Sequence, residues 1–501
     1  MEMKHITKRY GEVIANDDVS LALEENEILA IVGENGAGKT TIMKILYGLE
    51  HPDAGEIFIR GQKVLITSPR AAMAHHIGMV QQHFMLFDTL SAAENIVYQN
   101  EIRKGIFFDH KKTNQTVLEL SQSYGLPIDP QAIVQQLPIG SQQRVEILKI
   151  LYQQSQIIIF DEPSAVLTPL EVEELLKTMK QLKAMGKSLI LITHKLQEVM
   201  DVADRVIVMR QGKVTFESKV TDTNVKELTY HMVKRHLNTR TLKPQNPGEV
   251  QLELKHISVY GNSAKKELDD ISLCVRSFEI VGIAGVSGNG QSLLARVVSG
   301  LLDSDAGELF IKGQNLTHQS VHSIRQAGLS HVPDDRYLWG SAREATLGEN
   351  ALMGFEYRPD FTQKGILKSQ KIKHLTNSLI DRYQIKADEW QQKMSQLSGG
   401  NAQKLVVGRE FEQNSEVLLV NEPTRGIDIG AMEFIHQQLV EKRDNGCAIL
   451  LISSDLNEIM TLSDRIIVLF EGRINATFVR GEADARQLGL YMVKRYEEIE
   501  T

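Results

Sequence analysis

One glycine-rich pattern occurs twice in this chain, and that duplication limits its possible folds more than any other feature. Gly33-Glu-Asn-Gly-Ala-Gly-Lys-Thr40 recurs as Gly285-Val-Ser-Gly-Asn-Gly-Gln-Ser292. The first copy is G-x-x-x-x-G-K-[ST], a loop whose backbone amides curl around phosphate oxygens; in the second, Gln291 stands where the lysine belongs. Flanking segments repeat in the same order. Lys4-His-Ile-Thr7 returns as Lys255-His-Ile-Ser258, Asp53-Ala-Gly-Glu56 as Asp305-Ala-Gly-Glu308, and Met232-Val-Lys-Arg235 as Met492-Val-Lys-Arg495. So long a period means domain duplication rather than a solenoid. A chain of 501 residues also exceeds what one core usually serves. The expected division is a first domain over 1–235, a linker over 236–249 with Pro244, Pro247 and Gly248, and a second domain over 250–501.

The apolar runs Ile28–Val32, Ile157–Phe160, Ser188–Ile192 and Arg205–Met209 predict buried strands. Thr40–Tyr47 and Pro169–Ala184 predict helices, which together give an α/β fold with a parallel sheet flanked by helices. From about Asn95 to Ser155 the pattern is more helical and predicts a subdomain of its own. A net charge of −8 argues against a general nucleic-acid binder, which needs clustered cations. Cys274 and Cys447 provide neither a disulfide framework nor a Cys-based zinc pattern. No apolar run approaches the roughly 18 residues that cross a bilayer, and Met1–Ile6 lacks a signal-peptide core. Any membrane spanning is therefore expected of other subunits.

The first loop follows an apolar strand and opens a helix, the context its chemistry requires. Lys39 is expected at the β- and γ-phosphates and Thr40 at Mg²⁺, with Gly33, Glu34, Asn35, Gly36, Ala37, Gly38 and Thr41 completing the ATP contacts. The strand Ile157–Phe160 runs into Asp161 and Glu162 at the carboxyl edge of the sheet. Asp161 would hold Mg²⁺ and Glu162 would orient and deprotonate the attacking water. Tyr10 would stack on adenine, or else is a surface or core aromatic. Gln82 would touch Mg²⁺ and the water, with neighbouring Gln81 the alternative. His194, ending a strand, would contact the γ-phosphate; alone such a histidine is usually structural, and only the constellation raises it.

In this order the motifs resemble the ATP-binding cassette (ABC) family. The resemblance implies two tandem nucleotide-binding domains, each a parallel-sheet P-loop core with an antiparallel β part and a helical subdomain. It also implies that the two cassettes pair head to tail within the chain. Each ATP would lie between one cassette's loop and the other's Leu-Ser-Gly-Gly-Gln signature. Carried over residue by residue, the losses segregate. The first copy keeps Gln82, Asp161, Glu162 and His194, but its signature reads Leu137-Pro-Ile-Gly-Ser141 and its D-loop, Ala165-Val-Leu-Thr168, lacks the usual aspartate. The second copy has Gln291, Asp334, Asn421-Glu422 and Ser454 at the catalytic positions, yet keeps Leu397-Ser-Gly-Gly-Asn401 and Asp428. One complete site would join loop 33–40 with Ser398, Gly399 and Gly400. A degenerate one would join Gly285, Gly288, Asn289, Gly290, Gln291 and Ser292 with Gly140.

The whole chain looks like the fused double ATPase of simple-sugar and nucleoside importers. Val332-Pro-Asp-Asp-Arg336, Gly288-Asn-Gly-Gln291 and Glu422-Pro-Thr-Arg-Gly-Ile-Asp428 carry that resemblance. Gln82-His-Phe-Met-Leu86 and Gln142-Gln-Arg-Val-Glu-Ile-Leu-Lys149 favour the nucleoside branch, from which Pro138 departs. The resemblance implies an ATPase using ATP and Mg²⁺ at the cytoplasmic face of the membrane. Its partners would be two transmembrane permease subunits and an extracytoplasmic substrate-binding lipoprotein. His83–Phe87 would line a groove for a permease, or belong to the core. The rival readings are a sugar importer, a soluble tandem protein acting on the ribosome, and a regulatory nucleotide-binding dimer. The cargo itself would be selected by other subunits.

Overall fold

The four apolar runs of the first copy become neighbours in one sheet. The computed structural model describes the chain except for residues 12, 35, 82–83, 165–166, 234–244, 262–265, 287 and 497–501. It divides into two compact units, Met1–Leu237 and Asn238–Thr501. Of the expected linker, residues 236–244 lie outside the described residues, and 245–248 have no regular structure.

In the first unit a six-stranded sheet runs in the order Lys213–Lys219, Arg205–Arg210, Ile28–Val32, Ser188–Ile192, Ile157–Asp161, Ile77–Val80. All neighbours are parallel except the edge strand Lys213–Lys219. Parallel strands covered on both faces need unbroken apolar sequence, and every residue of Ile28–Val32 and Ser188–Ile192 is buried. The register pairs Ile192 with Asp161 and Ile31, so the residues that follow these strands gather at one edge. A second, antiparallel sheet holds Val13–Ala22, Glu2–Tyr10, Ala54–Ile59 and Gln62–Val64 in that order. The segment predicted to be more helical contains the helices Ala92–Val97, His110–Tyr124 and Ile139–Tyr152, with a small hairpin, Arg103–Lys104 and Phe107–Phe108. Ser91 and Glu94 form a capping box on the first helix, and Gly125, at φ 64°, ends the second.

The second unit repeats this plan. Its large sheet runs Leu329–Val332, Val417–Asn421, Ala448–Ile452, Ile280–Ala284, Arg465–Phe470, Arg473–Val479, again antiparallel only at the last pair. Its antiparallel sheet holds Lys266–Arg276, Val250–Tyr260, Ala306–Ile311 and Gln314–Asn315, and its helical part holds Leu347–Leu352, Ser369–Arg382 and Gly399–Phe411. Among the described residues no helix is long and apolar enough to cross a membrane.

Candidate nucleotide-binding sites

The first glycine-rich loop leaves the strand Ile28–Val32 and enters the helix Lys39–Leu46. Gly36 (φ 81°) and Gly38 (φ 95°) take left-handed backbone that glycine adopts without strain. A Cβ on Gly38 would also lie 2.3 Å from the Ala15 carbonyl oxygen. Asn16 Nδ2 donates to Gly38 O (3.1 Å), so the antiparallel sheet braces the loop. Ala37 is buried and Thr41 half-buried in the first helical turn.

Lys39 is 4% exposed. Its Nζ folds back over the loop, donating to Gly33 O (2.7 Å) and Glu34 O (3.0 Å). Burial pushes its pKa below the ordinary value, against the pull of Glu162, Asp161 and Glu34. A cation held on neutral carbonyls in this way is poised to exchange them for phosphate oxygens.

Asp161 ends its strand with its carboxylate facing the loop, and Thr40 Oγ1 donates to its Oδ1 at 3.4 Å. Burial, with Glu162 beside it, pushes the Asp161 carboxyl up to about 6. Glu162 sits at φ 47° and its N–H donates to Ile192 O (2.9 Å), tying the end of one strand to the end of the next. His194 Nδ1 lies 3.4 Å from Glu162 Oε1, and that hydrogen bond chiefly holds Glu162 below the usual carboxylate value. Lys39, Thr40, Asp161, Glu162 and His194 therefore form one connected group. Tyr10 stands at the end of Glu2–Tyr10, 45% exposed, with Lys8 Nζ 5.2 Å from its ring centre. Asn35 and Gln82, expected at the ATP and the metal, lie outside the described residues, as do Ala165 and Val166 of the D-loop.

The second loop takes left-handed backbone at the matching glycines, Gly288 at φ 96° and Gly290 at φ 102°. Gln291 Nε2 donates to Val286 O (3.1 Å), reproducing the folded-back lysine without its charge. Asn289 is a different matter. Its buried Nδ2 donates to Leu469 O (3.2 Å) and Met492 O (3.1 Å), and its Oδ1 accepts from Glu471 N (3.2 Å). The side chain of Asn289 is thus engaged inside the unit, bracing the loop against the Met492 carbonyl, and leaves only its backbone amide for the degenerate site. At the carboxylate position Glu422, φ 48°, is held by Ser454 N (2.7 Å) and Ser454 Oγ (3.0 Å), and burial pushes it up to about 7. The two glutamates share a left-handed φ and shift in opposite directions: the His194 hydrogen bond holds Glu162 down, whereas burial raises Glu422 against the pull of its Ser454 contacts.

The signature helices differ too. Ser398 caps Gly399–Phe411, accepting from Asn401 N (3.5 Å) and Asn401 Nδ2 (2.8 Å). In the first unit Pro138 occupies the cap position of Ile139–Tyr152 and offers no side-chain bond. Gly140 N there donates to Glu171 Oε1 (3.2 Å), so a carboxylate of the same unit already covers that helix start. The role of Glu171 was not foreseen, although Thr168-Pro-Leu-Glu171 is a legible capping box. Also missed were Asn95 and Asn350, buried asparagines that each clasp a backbone N–H and C=O of a nearby loop, at Phe87 and Ala342 respectively. Their signal was the shared Glu-Asn at matching places in both copies.

Among the described residues no group of three or more His, Cys, Asp or Glu could hold a metal. Thr40 and Asp161 fit a cation of another kind, Mg²⁺, which keeps its waters and takes phosphate oxygens beside one carboxylate.

A family model described as ABC transporter matches residues 16–165 and 268–425. The nucleoside import ATP-binding protein NupA of Lactococcus lactis is 43% identical, covering 98% of both chains. The guanosine import ATP-binding protein NupO of Bacillus subtilis is 44% identical over 98% of this chain and 97% of its own. The crystal structure of the archaeal ribosome recycling factor aABCE1 with stalk protein aP1 aligns at TM-score 0.61. Its identity is 17%, covering 93% of this chain and 87% of that one. At that identity the likeness extends to the fold alone.

Proposed function

The chain belongs to the ABC transporter family, and from that premise we propose that it is the ATPase subunit of a nucleoside importer, turning over ATP at one composite site. The first unit would hold the hydrolysed nucleotide and the second would offer the signature Ser398, Gly399 and Gly400. ATP phosphates would replace the carbonyls of Gly33 and Glu34 as the partners of Lys39. Glu162, kept ionised by His194, would accept the proton of the attacking water. Thr40 and Asp161 would hold Mg²⁺, which when bound offsets the charge of the phosphates. Glu422 lacks the imidazole, and Gln291 lacks the charge, which supports a second site that retains nucleotide without rapid turnover.

The cargo reading rests on one observation, the near whole-length likeness to proteins named for nucleoside and guanosine import. The word import in those names supports membrane partners in general; as part of the same proposal, these would be two transmembrane permease subunits and an extracytoplasmic lipoprotein, with this chain peripheral on the cytoplasmic membrane face. Of His83–Phe87, His83 lies outside the described residues; Leu86 packs against the core, whereas Met85 (55% exposed) and Phe87 (46%) are the side chains a docking groove would use. The test is uptake of labelled guanosine, adenosine and ribose in cells with and without this gene. Loss of nucleoside uptake with ribose intact is the expected result. Loss of ribose uptake alone would transfer the chain to the sugar branch.

A further inference from the structure

Asn289 stands between Gly288 and Gly290 of the second loop, where the first loop has Ala37. One backbone bond braces both loops alike: Gly212 N donates to Ala37 O and Gly472 N to Asn289 O, each at 3.2 Å. The second loop adds a polar side chain that alanine cannot supply. Asn289 is 7% exposed, and its bonds to Leu469, Met492 and Glu471 use both ends of the amide. Met492 follows the helix Ala485–Tyr491, 203 residues along the chain from Asn289. A second asparagine clasps the same turn. Asn475, on the strand Arg473–Val479, donates from Nδ2 to Tyr491 O and Lys494 O, both at 2.7 Å, and its Oδ1 accepts from Tyr496 N (2.9 Å). Arg495 Nη2 adds a bond to Glu471 Oε2 (2.7 Å). The segment 491–496 is therefore fastened by two asparagines, and one of them belongs to the phosphate loop.

We infer that Asn289 is a positioning residue: by fastening the second loop to the segment 491–496 it holds the loop's backbone in shape for the phosphates of a nucleotide, which compensates for the charge that Gln291 lacks. This rests on the proposal that the degenerate site retains nucleotide. Glycines on either side give the loop many conformations, and ordering it at the moment of binding costs affinity. A loop already fixed by three side-chain hydrogen bonds avoids most of that cost. The first loop has Lys39 to attract the phosphates, so Ala37 suffices there. The link runs both ways, because a nucleotide that favours the ordered loop favours the fastened segment by the same factor.

The test uses full-length protein carrying Lys39→Ala, which weakens the first loop, and equilibrium dialysis of labelled MgATP well below the melting temperature. Asn289→Ala gives the second loop the residue the first already carries, so the loop backbone stays within what this fold builds. It should weaken the retained nucleotide about tenfold or more. Asn475→Ala frees the segment 491–496 without altering the loop, and should weaken the same nucleotide about threefold or more. ATP should also slow amide hydrogen exchange over residues 488–496, and Asn289→Ala should abolish that slowing. An asparagine with a merely structural role would lower the melting temperature and do neither. Binding within about threefold of the parent in Asn289→Ala, or exchange over 488–496 indifferent to ATP, would overturn the assignment. Binding unchanged by Asn475→Ala would overturn the part given to the C-terminal segment. A Lys39→Ala parent that retains no nucleotide would instead refute the second site itself, and the positioning role with it.

Discussion

Glu162 and Glu422 occupy matching positions, and replacing each with glutamine separates their roles. Burial lifts the Glu422 carboxyl to about 7, against 4.5 for an unperturbed side chain. The pKa is raised on folding, so the ionised form carries a penalty that grows as pH rises from 4.5 through 7. At pH 8 that penalty is roughly 3 kcal/mol as an upper bound, and Glu422→Gln should recover part of it. The amide oxygen can still accept from Ser454 N, and the Ser454 hydroxyl can rotate to accept from the new NH₂. With about 2–4 °C per kcal/mol for a unit of this size, the melting temperature at pH 8 should rise by several degrees. At pH 5.5 the gain should shrink to roughly 1 kcal/mol, because Glu422 is then mostly protonated. Glu162 is held on the other side of the ordinary value by His194 and is ionised throughout this range. Glu162→Gln removes the proton acceptor and should cut kcat about 10²–10⁴-fold. Phosphate release at saturating MgATP, with calorimetric melts at both pH values, measures both effects. Equal kinetic losses from the two substitutions would refute the asymmetry, and a Glu422→Gln melt no higher than wild type at pH 8 would refute the electrostatic argument.

Asp161 must give up its proton to hold Mg²⁺, so apparent Mg²⁺ affinity should weaken as pH falls through about 6, read by titration at pH 5, 6 and 7.5. In the unliganded protein the same raised pKa costs stability as pH rises from 3.8 through 6. Asp161→Asn should therefore melt higher at pH 8, by up to roughly 3 kcal/mol in denaturant unfolding. Asn289→Ala removes three buried hydrogen bonds to Leu469, Met492 and Glu471 and should destabilise the second unit by about 2–4 kcal/mol in chemical denaturation. Glu171→Ala breaks the Thr168 capping box and uncovers Gly140 N, an expected loss of about 1–2 kcal/mol by the same assay.

What the sequence determined by itself was everything carried by contiguous residues. The two glycine-rich loops, the exchange of Lys39 for Gln291, and the exchange of Ser398 for Pro138 are all readable in a few letters. So are the buried strands, because parallel strands covered on both faces demand unbroken apolar runs such as Ile28–Val32. The helix Pro169–Ala184 could be bounded in advance because its start is set by a local cap. The tertiary structure alone decided which distant groups meet. Thr40 reaches Asp161 and Glu162 reaches His194 because the strand order places Ile157–Asp161, Ser188–Ile192 and Ile28–Val32 side by side in register. Arg336 comes to rest on Gly399, Glu171 on Gly140, and Asn289 on the Met492 carbonyl across gaps that no local pattern spans. Backbone angles and apolar periodicity are properties of neighbours along the chain. A carboxylate's pKa and a guanidinium's partner depend on what the register and the packing bring within a few ångströms.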